Sequence, residues 1–326
     1  MHIKHLITAF IVSAACLFGG ALAAHAADMG NHFQAGSLHV ERHGKQGTPI
    51  VLIPGLASGA WVWDDTVKQL EKNHTLYVVT LAGFDGQPAT EGPLLEKAKT
   101  SLLELIQQQK LDKPVLLGHS MGGTLAIWFA QQHSELIRGV IAVDGLPVFP
   151  GTEHTPADQR LALAARFKTQ MTAQTPEIFA ARQLQYMRTI GVINEQLAQK
   201  LSVQTGKSDP AATADYVNEI VSMDLRKDMA KVLVPLLEIS PYYTADFAAR
   251  NISLEAKNAY YQSLLQGAPK LQVIGINNAR HFTMFDQPQA IKLPPAKPEV
   301  YCWGASKALV TLDPPKGGYS PNFIWS

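Results

Sequence analysis

The 326-residue sequence predicts an α/β fold, with a mostly parallel, doubly wound sheet and a helical cap inserted between two of its strands. Three observations predict this fold. Short runs rich in Val, Ile and Leu alternate with segments of helical periodicity. Several of these runs are apolar without interruption, which is typical of strands buried on both faces. One long interval contains helical patterns alone.

Seven segments are predicted strands because they are short, apolar or β-branched, and bounded by turn residues. They are Ser37–Glu41, Ile50–Ile53, Leu76–Thr80, Val115–Leu117, Val140–Val143, Val232–Ile239 and Leu271–Ile274. Between them, Leu94–Gln109 and Thr124–His133 have the spacing of apolar residues that is typical of helices.

The interval from about 146 to 231 predicts the cap. It contains no strand pattern, and helices are predicted over Ala157–Gln170, Pro176–Arg188 and Ala211–Met223. A connection this long at one edge of a sheet is typical of a lid over a functional site. The domain that contains the sheet and the cap is expected to cover residues 27–292. Residues 293–326 are rich in proline, which interrupts helices, and we assign this tail no structure.

Residues 1–26 predict a signal peptide. Lys4 precedes the apolar stretch Leu6–Phe18, and Ala24-His25-Ala26 forms a cleavage site of the A-x-A type. The apolar stretch is shorter than the roughly 20 residues that a membrane-spanning helix needs. A lipoprotein acylated at Cys16 is the weaker alternative, because apolar residues continue beyond the cysteine. We therefore expect an exported protein, periplasmic or secreted, with no stable membrane insertion after cleavage.

The composition excludes several classes of protein. Lys and Arg (28) nearly balance Asp and Glu (27) without a long basic run, so no nucleic-acid partner is expected. Cys16 and Cys302 are the two cysteines, which excludes a disulfide scaffold and a four-cysteine zinc site. His39 and His43 lie roughly 13 Å apart along a predicted strand, too far to chelate one ion. No nucleotide-binding glycine motif occurs. We predict no cofactor and no metal.

The segment Gly118-His119-Ser120-Met121-Gly122 predicts the chemistry. It fits the pattern G-x-S-x-G between a buried-strand run and a helical run. Such a strand–serine–helix turn is called a nucleophile elbow, here shortened to the elbow. A strand–serine–helix turn brings two backbones close together, which favours glycines on both sides of the serine. The turn also leaves the hydroxyl at a helix N-terminus, where negative charge is stabilised. We therefore predict Ser120 as a nucleophile.

A nucleophilic serine needs a base and an acid that orients the base. His281 follows the last predicted core strand, just before a short helix predicted to begin near Gln287, and at the sheet edge that also carries Ser120. We predict His281 as the base. Two residues remain candidates for the acid that orients His281. Asp144 directly follows a strand predicted to lie beside the elbow strand, whereas Asp246 comes seven residues after the strand ending at Ile239. We favour Asp144.

Two backbone N–H groups are predicted to form an oxyanion hole. Met121 directly follows the serine, and Leu56 lies in the loop after an early central strand. These groups would face the carbonyl oxygen of a substrate bound at Ser120.

These motifs resemble those of the α/β-hydrolase superfamily over about residues 36–292. The resemblance rests on Pro54-Gly55, where the family usually has His-Gly, on the elbow at Ser120, on a helical cap after the sixth core strand, and on the late histidine His281. Ser240-Pro241-Tyr242-Tyr243 stands where the family usually carries its acid. The resemblance therefore implies the variant in which the acid follows the sixth strand, here Asp144.

The resemblance implies an exported serine hydrolase, carboxylesterase-like, that cleaves a small lipophilic ester or lactone through an acyl-enzyme. A fold does not fix its function. An acyltransferase or perhydrolase would use the same acyl-enzyme, and a non-catalytic binding protein would use the scaffold alone. The expected partner is a small-molecule ester. The oligomeric state is not predicted.

Overall fold

The computed structural model describes residues 31–290. The predicted signal peptide, the predicted tail and both cysteines lie outside these residues. Eight strands form one sheet in the order β1-β2-β4-β3-β5-β6-β7-β8. They are β1 (His32–Ala35), β2 (Leu38–His43), β3 (Pro49–Ile53), β4 (Thr75–Thr80), β5 (Val115–His119), β6 (Gly139–Val143), β7 (Leu236–Tyr242) and β8 (Leu271–Asn277).

The sheet is mostly parallel, as predicted. Strand β2 pairs antiparallel with β1 and with β4, and all pairs from β4 to β8 are parallel. Because β3, β5 and β6 are neighbours, their carboxyl ends meet at one edge of the sheet. The predicted loop of Leu56, the elbow and Asp144 therefore lie side by side.

Helices cover both faces of the sheet. In the described part of the chain they are α1 (Asp64–Leu70), α2 (Leu94–Gln108), α3 (Met121–His133), α4 (Ala157–Thr172), α5 (Pro176–Tyr186), α6 (Glu195–Thr205), α7 (Pro210–Ser222), α8 (Thr244–Phe247), α9 (Leu254–Leu264) and α10 (Thr283–Asp286). Helices α2 and α3 pack into one apolar cluster with the sheet, and α1 packs into the cluster on the other side. The doubly wound arrangement is thus confirmed.

The structure differs from the sequence predictions in three ways. Strand β1 and helices α1, α6, α8 and α9 were not predicted. The strand predicted over Val232–Ile239 is wrong at both ends, because β7 begins at Leu236 and continues through Pro241 to Tyr242. Val232 is fully buried in the core without joining the ladder, so its apolar character reflects packing. A proline is tolerated at 241 because β6 stops pairing with β7 at Ile239 and leaves that side of β7 open.

The third difference concerns the helix predicted to begin near Gln287. It begins at Thr283 as the four-residue α10, directly after the loop of His281. Its first turn is therefore close to the predicted base.

The interval between β6 and β7 contains helices α4 to α7. Helix α4 packs against α7, and α5 packs against α6. Three hydrogen bonds attach this group to the loop after β4. The Tyr216 hydroxyl donates to the Ala82 carbonyl (3.3 Å), and the Asp209 N–H donates to the Gly83 carbonyl (2.7 Å). The Asp85 N–H donates to the Ser208 Oγ (3.2 Å). Among residues 31–290, no helix combines the length and apolar character needed to cross a bilayer.

Candidate active site

The serine of the elbow occupies a backbone conformation that is unusual for a side chain-bearing residue. Ser120 has φ 54° and ψ −123° at the junction of β5 and α3. A Cβ atom on Gly118 would lie 2.2 Å from the Gly122 carbonyl oxygen, and one on Gly122 would lie 2.4 Å from the Ile53 carbonyl oxygen. Neither glycine has a positive φ, so close backbone approach explains both. The bend presents Ser120 at the edge of the sheet.

The two predicted oxyanion donors flank this bend. Met121 is the first residue of α3, and the N–H groups of a first helical turn have no acceptor within the helix. The loop of Leu56 follows β3, the strand next to β5. A Cβ atom on Gly55 in that loop would lie 3.0 Å from the Ser120 Cβ. The structure thus brings both backbone segments to Ser120.

The structure brings Asp144 to His281. Asp144 follows β6 with a positive φ of 54°, and its Oδ2 lies 2.5 Å from the His281 Nδ1. Asp246, the other acid that the sequence left open, forms a two-point ion pair with the Arg280 guanidinium, at 2.8 and 2.6 Å. Asp246 therefore anchors the residue before His281 and does not contact the imidazole.

His119 links the serine to the loop of His281. Its ring lies 4.6 Å from the His281 ring, centroid to centroid, and its Nε2–H donates to the His281 carbonyl at 3.0 Å. Burial, followed by the nearby His281, lowers the pKa of His119, so the ring stays neutral. Within residues 31–290, no hydrogen bond joins the Ser120 Oγ to His281. Catalytic hydrogen bonds are often long before a substrate binds.

The helical segment between β6 and β7 holds the loop of His281 in place. Residues Met187–Gly191 form a π-helical turn, a feature that often occurs at functional sites. Its Ile190 and Gly191 carbonyls accept the N–H groups of His281 (3.1 Å) and Phe282 (2.9 Å). The Arg280 guanidinium also donates to the carbonyl of Arg188, at 2.8 Å. Movement of this segment would therefore move His281.

Asp144 is a buried carboxylate surrounded by donors. The Tyr261 hydroxyl donates to its Oδ1, and Lys257 lies nearby, with its Nζ bonded to the Pro241 carbonyl. Burial alone would raise the pKa of Asp144, but the charge and hydrogen bond of His281, with help from Lys257 and Tyr261, hold this pKa far below its ordinary value. Asp144 is therefore ionised at neutral pH.

A second buried carboxyl group lies next to Asp144. Glu238 of β7 is fully buried, and its Oε1 accepts the Gly145 N–H at 3.2 Å. Its Oε2 has no hydrogen-bond partner among the described residues. Burial, followed by the charge of Asp144, raises the pKa of Glu238 well above its ordinary value. Both effects favour the protonated form of Glu238, because a second negative charge next to Asp144 would be repelled.

Sequence reasoning missed the residues around Asp144. Glu238 had a recognisable signal, since a glutamate in the apolar run Leu236–Ile239 is a charge within a predicted buried strand. Lys257 and Tyr261 had none, because they lie on a partly exposed helix more than a hundred residues from Asp144.

Comparison with known proteins identifies the family of the chain. The family model of the alpha/beta hydrolase family matches residues 50–292, which is most of the chain. The pimeloyl-[acyl-carrier protein] methyl ester esterase of Yersinia enterocolitica is 28% identical over 200 residues, which cover 59% of this chain and 74% of that protein.

Solved structures share the fold. The enol-lactonase from Burkholderia xenovorans superimposes with a TM-score of 0.60 at 20% identity, over 78% of this chain and 92% of that one. The bromoperoxidase from Bacillus anthracis gives a TM-score of 0.63 at 21% identity, over 77% and 91% of the two chains.

Replacing Glu238 by Gln should raise the thermal midpoint of unfolding by a few degrees at about pH 7. Folding raises the pKa of Glu238 from its ordinary 4.5, so the native state holds a proton that the unfolded chain releases. Wild-type stability therefore falls as the pH rises above 4.5, and glutamine removes this loss. The gain should shrink as the pH falls and vanish near pH 4.5, as measured by circular dichroism melts.

Glu91→Gln, at an exposed acid in the loop before α2, is the matched control and should show no such pH-dependent gain. A Glu238→Gln protein that is less stable than wild type at neutral pH, or equally stabilised at every pH, would contradict a neutral Glu238.

Proposed function

The chain belongs to the alpha/beta hydrolase family, and on that premise we propose that it is a serine hydrolase that cleaves a small lipophilic ester or lactone. The observation that carries the proposal is the 2.5 Å contact between Asp144 and His281, next to the bend that presents Ser120. In this proposal Ser120 is the nucleophile, His281 the base and Asp144 the acid that orients the base.

The proposed reaction proceeds through an acyl-enzyme. The Ser120 Oγ attacks the ester carbonyl while the His281 Nε2 takes its proton. Asp144 accepts the Nδ1–H, which keeps the Nε2 lone pair free and stabilises the imidazolium. The N–H groups of Met121 and Leu56 would bind the oxyanion. The imidazolium then gives its proton to the leaving alcohol. Water, activated by His281, attacks the acyl group and releases the acid.

An apolar cluster supports the lipophilic substrate class. Leu56, one of the two proposed oxyanion donors, packs against the cluster formed by α4 and α7. Phe149, Phe167 and Ile220 are partly buried members of the same cluster. An acyl chain bound at Ser120 would therefore meet apolar side chains next to the oxyanion site. The Yersinia relative is named a methyl ester esterase, and a carboxylic ester is the substrate class that we extend to this chain.

Ser120→Ala should lower kcat by at least about 10³-fold, because the nucleophile is lost. Asp144→Asn should lower it by about 10³–10⁴-fold, because the amide cannot hold the reactive imidazole tautomer. Asp246→Asn should cost at most about ten-fold, since it affects only the anchoring of Arg280. Turnover of p-nitrophenyl butyrate measures all three variants.

Ser263→Ala, at an exposed serine on α9, is the matched control and should keep wild-type turnover. A fluorophosphonate probe should label wild type and Ser263→Ala but not Ser120→Ala. Turnover retained by Ser120→Ala would defeat the assignment of the nucleophile. An unlabelled, folded wild type would favour the binding protein, and acyl transfer to added alcohol or peroxide in preference to water would favour a transferase or perhydrolase.

In a series of p-nitrophenyl esters from acetate upwards, kcat/KM should rise by about four-fold per added CH₂ until the pocket is filled, because each buried CH₂ contributes about 0.8 kcal/mol. Phe167→Ala should flatten this rise, whereas Leu161→Ala, at an exposed position on the same helix, should not. A rate that falls steadily from acetate onwards would contradict a lipophilic acyl site.

We also propose export, on the strength of Lys4, the apolar stretch Leu6–Phe18 and Ala24-His25-Ala26. Expression of the full chain in a Gram-negative host, followed by fractionation and N-terminal sequencing, should give a periplasmic or secreted protein that begins near Ala27. An uncleaved chain confined to the cytoplasm would refute this proposal.

A further inference from the structure

Three metal-ligating side chains meet on one face of the antiparallel pair β1–β2. His39 and Glu41 alternate along β2 and so point to the same face, and His32 of β1 pairs directly opposite Glu41. One ligand atom from each residue lies within 4.8 Å of the other two. The His32 and His39 rings are stacked, with centroids 5.9 Å apart.

We propose that His32, His39 and Glu41 bind a divalent cation of the late first transition row, such as Zn²⁺. Two imidazole nitrogens and one carboxylate oxygen form a ligand set that such ions favour, and water can fill the remaining position. His32 is exposed, and His39 and Glu41 are half-buried, so the site is open to solvent on one side. Small side-chain rotations would bring the ligand atoms to bonding distance.

The charge around the site suits a cation. Asp64 and Asp85 lie near Glu41. Burial raises the pKa of both aspartates, and the negative charge of Glu41 raises it further. Glu41 itself forms a long ion pair with the His43 Nε2, at 3.7 Å. Lysines offset part of this negative charge, since Lys68 and Lys200 act on Asp64 and Lys207 acts on Asp85. None of these lysines forms an ion pair with Glu41 within residues 31–290.

The site is separate from the proposed active site. Strands β4 and β3 lie between β2 and the elbow strand β5, which corresponds to about 14 Å at ordinary strand spacing. Strand β1 has four residues and pairs with β2 alone. An ion held by His32 on β1 and by two residues of β2 would fasten this short edge strand to the sheet. The expected effect of the ion is therefore on stability and not on ester turnover.

The test is a Zn²⁺ titration of the chelator-treated full chain. Calorimetry should show that one ion binds to each chain. Saturating Zn²⁺ should raise the thermal midpoint of unfolding by about 5 °C. Mg²⁺, which prefers oxygen ligands, should produce no such rise. Removing the ion should leave turnover of a p-nitrophenyl ester unchanged, so this proposal and the proposed function can fail independently.

Glu41→Gln and His39→Ala should abolish the Zn²⁺-dependent rise, and His154→Ala, at an exposed histidine outside the cluster, should keep it. Circular dichroism at 25 °C should show that each variant is folded. The Co²⁺ spectrum of the wild type gives a second measurement that needs no variant, and it should lack a thiolate charge-transfer band. A wild type without a Zn²⁺-dependent rise, an equal rise in Glu41→Gln and His39→Ala, or a thiolate band would overturn the proposal.

Discussion

The buried charge of Asp144 is the constraint on which the rest of the site depends. A carboxylate removed from water is stable only when donors and opposite charge surround it. The His281 imidazole supplies one donor and the Tyr261 hydroxyl another, while Lys257 supplies positive charge nearby. Burial and the charge of Asp144 raise the pKa of the neighbouring Glu238 and so favour its protonated form. In return, the Asp144 carboxylate orients the His281 ring through its Nδ1.

A second constraint is steric. The elbow works only if β5, α3 and the loop after β3 approach more closely than side chains allow. Gly118 and Gly122 permit the approach of strand and helix, and Gly55 permits the approach of the loop to Ser120. Strain at Ser120 and Asp144, both with positive φ, is thus maintained by a rigid surrounding sheet.

The helices between β6 and β7 contact both the proposed acyl site and the loop of the proposed base. Their apolar residues lie beside Leu56, and their π-helical turn accepts hydrogen bonds from the backbone of His281 and Phe282. A change in this segment would therefore alter substrate binding and the position of the base together. The cation site that we propose at the β1–β2 edge lies several strands away and has a separate role in stability.

Local patterns in the sequence were enough to predict seven of the eight described strands, half of the described helices and the elbow, because periodicity and glycine spacing report the conformation of a short stretch of backbone. They also reduced the candidate acids to Asp144 and Asp246. Only the tertiary structure decided which acid meets His281, because that contact joins residues 137 positions apart and depends on the order of strands in the sheet. The approach of Tyr261 to Asp144 was hidden for the same reason: contacts between distant segments leave no periodic trace in either one. The pairing of His32 with Glu41 is local, but it was hidden because β1 itself was not predicted.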